Sequence, residues 1–133
     1  MQIESDADVR IARIIAGLLV LQLSRIQRRA GQTPLTLDDF TAGYIFGFVD
    51  VMTQRVGIVD EGDAWRMFAI LAKALFGRET GEVVCARFAD RSDCAEAVRG
   101  ASTGRNDSRS WLRDPTIPPL VWYDYCRAIV SRP

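Results

Sequence analysis

The sequence predicts an all-α, single-domain bundle of five to six helices around a hydrophobic N-terminal helix paired antiparallel with the second. Three observations lead there. Apolar residues recur at helical spacing through most of the chain. Acidic residues open, and basic residues followed by glycine close, successive segments. A length of 133 residues with 48% apolar and 26% charged side chains is ordinary for one globular domain, and buries about two-thirds of the unfolded surface. Residues 1–133 are expected to form one helical domain, with an irregular loop at about 100–119.

The first helix is expected from Asp6 or Asp8 to Arg28–Arg29, with Gly31 just past its end. Its stretch Ile14 to Leu21 carries no polar side chain, so it is buried on most sides or shared between subunits. Thr36, with Asp39 three residues on, resembles a capping box and opens a second helix from about Leu37 to Val56. On this helix Asp39, Gly43, Gly47, Asp50 and Gln54 share one side, and on the first Arg10, Arg13, Gly17, Ser24 and Arg28 do the same. Glycine inside a helix costs about 1 kcal/mol relative to alanine, so Gly43 and Gly47 imply a close approach. Folding the two helices back on each other predicts a crossing of Gly17 with Gly47 and an Arg13–Asp50 ion pair.

A third helix is expected over about Glu61 to Phe76, closed by Gly77, with Phe68, Leu71 and Leu75 inward. A fourth, capped by Thr80, covers Gly81 to Asp90, and a short one follows near Asp93 to Arg99. Residues 100–119 show no apolar periodicity and many turn formers, which reads as a loop. A last helix starts at Pro119 and runs to about Ser131, with Trp122, Cys126 and Ile129 inward and Tyr125 beside them.

The function classes the sequence disfavours are clear. There is no histidine, which removes the commonest general base and metal ligand. No phosphate-binding glycine motif or nucleophile elbow is found, and no catalytic residue, cofactor or metal site is expected. The three cysteines, Cys85, Cys94 and Cys126, lack metal-site spacing and read as core residues. Asp39 and Asp50 lie about 16 Å apart on a helix, too far to share a substrate atom. Asp60, Glu61 and Asp63 suit the positive end of a helix. The formal charge is zero, so no global field points to nucleic acid. No apolar run reaches the ~20 residues of a bilayer span, and no signal-peptide pattern follows Met1, so a cytoplasmic location is expected.

Positive charge is carried by arginine at every position but Lys73, a bias that reads either as bidentate recognition of carboxylate or phosphate or, as the favoured expectation, as the codon preference of a GC-rich genome. Residues 99–113 interleave four arginines with Trp111, and arginine and tryptophan are enriched where proteins bind each other. The sequence therefore points to a non-catalytic protein-interaction module, such as a bacterial adaptor, inhibitor or regulatory subunit. Arg105, Arg109, Trp111 and Arg113 are the expected partner-binding residues, with Trp111 exposed. A homodimer through the first helix or the Gly43/Gly47 face is a further expected contact. The alternative is a small-ligand regulator with a pocket between the first, second and last helices, lined by Tyr44, Phe48, Asp50, Trp122 and Tyr125.

Overall fold

The computed structural model describes residues 13–19, 38–55 and 61–116, and all regular structure among them is helical. The elements are α1, described over 13–19, α2 (Asp39–Arg55), α3 (Glu61–Phe76), α4 (Arg78–Arg91) and α5 (Ala95–Arg113). None of the described helices is long and apolar enough to cross a membrane. The hairpin connection between the first two helices, Thr36 as a cap, and the last helix with Trp122, Tyr125 and Cys126 lie outside the described residues.

The central element is α2. Its residues from Phe40 to Thr53 are buried on every side apart from Phe46 and Asp50, which are half-buried. By contrast, the described part of α1 buries Ile15 and Leu19 and leaves Ile14 and Gly17 exposed. Over its described residues α1 is thus less buried than α2, and the rest of the expected first helix lies outside the described residues. The longer apolar run lies in α1, but burial follows from having neighbours, and α2 packs against α3, α4 and α5. Its start is fixed by Asp38, whose Oδ1 accepts a hydrogen bond from the Thr41 N–H at 2.9 Å, satisfying one of the free donors of the first turn.

The largest correction concerns 100–119. Residues 100–113 are not a loop but most of α5, a single helix of 19 residues. Ala97, Gly100, Ala101, Gly104 and Ser108 are its buried residues, and they recur at helical spacing. The periodicity is present, but it is one of small size rather than of apolar character. The reason lies across the interface. A Cβ added to Gly43 or Gly47 would run into the backbone of Ala97 or Ala101, and one added to Gly100 or Gly104 into the backbone of Phe40, Tyr44 and Phe48. Two small-residue faces thus interlock, each helix seating its glycines on the other's main chain.

This seam replaces the one expected between the first two helices. Gly17 has nothing within 4 Å of where a Cβ would sit. The Gly43/Gly47 face is occupied by α5, so copies of the chain have no access to each other there. The pairing also runs parallel: Phe40 meets Gly100, Tyr44 meets Gly104, and Asp50 meets Arg105. The C-terminal ends of α2 and α5 therefore lie at the same end of the molecule.

The other side of α2 carries an aromatic cluster. Phe46, Trp65, Phe68 and Phe88 bring α2, α3 and α4 together with ring centroids 4.9–6.0 Å apart, the range in which tilted and edge-on aromatic pairs attract. α3 ends at Phe76 as expected, and Gly77, at φ 90°, turns the chain directly into α4. The positive φ favours glycine at that joint. α4 consequently starts at Arg78, ahead of the expected Thr80 cap.

Candidate functional site

The parallel seam brings arginines from distant parts of the chain to one end. Arg55 closes α2, Arg113 closes α5, and Arg109 precedes Arg113 by one turn. Together with Asn106, Ser110 and Leu112 they line an open groove of about 510 Å³. Asn106, Arg109, Ser110 and Arg113 follow i, i+3, i+4, i+7 spacing, so they form one face of α5. The buried residues of the seam, Gly100, Gly104 and Ser108, lie on the opposite side of that helix.

The described carboxylates near this end have hydrogen-bond partners of their own. Asp50 accepts hydrogen bonds from Arg105 Nε and from Gln54 Nε2, both at 3.1 Å. Asp107 takes the hydroxyl of fully buried Tyr44. Asp114 accepts from the hydroxyl and backbone N–H of Thr116. Among the described residues Arg55, Arg109 and Arg113 pair with no carboxylate, and Arg113 reaches only the Ser110 hydroxyl at 3.4 Å. Other arginines are tied down. Arg87 and Arg91 hold Asp39 at 2.9 and 2.8 Å, and Arg99 lies over the Phe40 ring at 5.1 Å.

Asp39 shows what such pairing does. Burial of its carboxylate favours the neutral acid, but hydrogen bonds from Arg91 and Arg87 and their charges outweigh it and hold its pKa below the ordinary value. At Cys85 the balance goes the other way. Burial pushes the thiol pKa up, nearby Glu82 adds to the rise, and Lys73 opposes it. Cys85 and Cys94 are both free thiols. Among the described residues no three Cys, Asp or Glu side chains gather into a set able to hold a metal.

The four residues expected to bind a partner are separated by this arrangement. Arg109 and Arg113 line the groove, whereas Arg105 serves the seam through Asp50. Trp111, expected to be exposed, is half-buried and packs against the core. Its place on the helix turns it away from the groove. Of the alternative pocket, Tyr44 and Phe48 are fully buried in the core beside the seam, Asp50 is engaged by Arg105, and Trp122 and Tyr125 lie outside the described residues. Arg55, Asn106, Ser110 and Leu112 were not foreseen as site residues. For Arg55 the sequence carries only a basic residue at a helix end, which the helix dipole explains.

Compared with known proteins, the chain matches no protein-family model, no curated protein and no solved structure.

Proposed function

We propose that the protein is a non-catalytic interaction module that receives a partner protein in the groove between the ends of α2 and α5. The observation that carries this reading is the presence of Arg55, Arg109 and Arg113 around one groove, none of them ion-paired with a carboxylate among the described residues. Like charges gathered on a surface repel each other, at a cost an internal carboxylate would remove. Arginine is one of the residues enriched in binding hot spots. The groove's backbone is set by the packing of α2 against α5, so what binding must order is the exposed arginine side chains. The lack of histidine supports a non-catalytic role. Free thiols at Cys85 and Cys94 fit a reducing compartment such as the cytoplasm.

The test is a photo-crosslinking amino acid placed at exposed Asn106 in the cells that make the protein. A partner in the groove gives a discrete adduct that disappears when Arg109 and Arg113 are replaced by glutamine. An adduct pattern identical in the wild type and the double variant would refute the assignment.

A further inference from the structure

We infer that α5 is an exchangeable helix: the corner between α4 and α5 straightens, and the face of α2 that α5 leaves is filled by α5 of a second copy of this chain. The inference concerns how the groove is assembled and does not depend on what the groove binds.

The α4–α5 corner lacks what normally stops a helix. At the α3–α4 joint Gly77, at φ 90°, turns the chain through a conformation that other residues rarely adopt. The corner Ser92-Asp93-Cys94 holds neither glycine nor proline, and none of its residues has positive φ. Ser92 keeps helical dihedrals, φ −61° and ψ −20°. Cys94 has φ −70°, which a helix also uses, and departs from one by its ψ of 155°. No side chain caps the start of α5. Turning the Cys94 ψ to about −42° continues α4 into α5, as one helix over 78–113 about 54 Å long.

The packing of α5 points the same way. Among the described helices α2 is the one it lies along, and its buried residues are Ala97, Gly100, Ala101, Gly104 and Ser108. Such a seam depends on the fit of two backbones, which α5 of another copy reproduces contact for contact. In a continuous helix, at about 100° per residue, this small-residue face stands roughly 180° from Gly81, Val84 and Phe88, the buried face of α4. With α4 held on its own body, a straightened α5 therefore turns its glycines outward, toward a second chain.

The ends match as well. α4 arrives at the start of α2, where Arg87 and Arg91 hold Asp39, and α5 sets out from there, with Gly100 against Phe40. Straightening carries α5 past the start of α2, and a copy related by a two-fold axis presents the start of its own α2 to it. Each α5 then seats on the other chain's α2 in the register it has in its own, a closed exchange. A second copy reaches the Gly43/Gly47 face in this way alone, by an α5 that takes the place of the first. In the exchanged dimer each groove is composite, with Arg55 from one chain and Arg109 and Arg113 from the other.

The experiment uses the full chain under reducing conditions, refolded from urea at low and at high protein concentration and sized by chromatography with light scattering. The wild type is expected to give monomer when refolded dilute and dimer when refolded concentrated. Ala95→Pro is expected to abolish the dimer. Ala95 is exposed and opens α5, so proline there suits the closed corner, favours the extended backbone that Cys94 already has, and breaks a continuous helix. The combined change Ser92→Ala, Asp93→Ala, Cys94→Ala is expected to raise the dimer-to-monomer ratio at least about tenfold, because alanine favours the continuous helix. Asp50→Arg and Arg105→Asp then show which chains share a seam. Each alone sets like charges across it, in place of the pair at 3.1 Å. Mixing the two during refolding restores opposite charges in both seams of an exchanged dimer, and heterodimer is expected in preference to either homodimer. A wild type that stays monomeric at every concentration would overturn the inference. So would a dimer that survives Ala95→Pro, a ratio the three alanines leave unchanged, or a mixture with no preference for heterodimer. The Asn106 adduct tests the partner groove separately and is untouched by these outcomes.

Discussion

Replacing Gly47 by alanine tests the seam on which the whole arrangement depends. In an ordinary helix interior this change is stabilising by about 1 kcal/mol. At Gly47 the new methyl would lie 2.7 Å from the carbonyl carbon and 2.8 Å from the Cα of Ala101, and closer still to its oxygen, where ordinary contact begins at 3.4 Å. Every obstacle is backbone, so no rotamer change relieves it, and α2 and α5 must move apart. Parting them also loosens the seats of Gly43 on Ala97, Gly100 on Phe40 and Gly104 on Tyr44. Overpacking alone costs about 1–3 kcal/mol, and the lost contacts at the other glycines add to that. After the helix-propensity gain, a net destabilisation of roughly 1–3 kcal/mol is expected. Gly17→Ala is the matched control, because open space surrounds it and only the gain of up to about 1 kcal/mol remains. The assay is urea unfolding followed by far-ultraviolet circular dichroism. A Gly47→Ala protein as stable as the wild type would refute the seam, as would a Gly17→Ala protein that loses as much stability.

Two further outcomes follow from the titrating groups. The Asp39 carboxyl is held below its ordinary 3.8, so its ionised pairing stabilises the fold above that value and the contribution is lost as pH falls through the lower folded value. With half-exposed arginine partners it is worth less than about 1 kcal/mol. The stability difference between wild type and Asp39→Asn should be constant near neutrality and shrink on acidification below about pH 4, measured by urea titrations across that range; a difference that grows would contradict the pairing. At Cys85 burial keeps the thiol protonated above its ordinary value, and the thiolate is the reactive form. In a Cys94→Ser, Cys126→Ser background Cys85 should react slowly with a disulfide reagent at mildly alkaline pH and quickly once urea unfolds the chain. Fast reaction in the native protein would show it to be open to solvent.

Several elements were legible because their signals are local. Phe68 and Leu71 follow the helical period, and both are buried in α3. Gly77 marks the end of α3 because a chain reversal there needs positive φ. Gly43 and Gly47 announced a close approach, since glycine in a helix has a cost that needs a reason. Their partner was not legible. Which small-residue face meets them depends on where α5 comes back to α2, fifty residues further on. The same cause hid α5: Gly100, Gly104 and Ser108 look like loop residues until a second backbone lies against them. Propensity disfavours helix there, and burial of the seam overrides it.

The groove divides in the same way. Arg109 and Arg113 could be singled out from sequence because four arginines and a tryptophan crowd into residues 99–113. Sorting them could not be done locally. Arg105 differs from its neighbours only in falling opposite Asp50, and Trp111 only in facing the core. Arg55 joins the site because two helices run parallel and end together.

By itself, the sequence determined that the chain is helical, that glycines on the second helix meet another backbone, and that arginines crowd into residues 99–113. Those properties are written in the period, size and charge of neighbouring residues. The tertiary structure decided which helices pair, that the presumed loop is a helix, and that Arg55, Arg109 and Arg113 line one groove without an ion-pair partner among the described residues. Close packing and ion pairing act at a few ångströms in space, and a sequence records distance only along the chain.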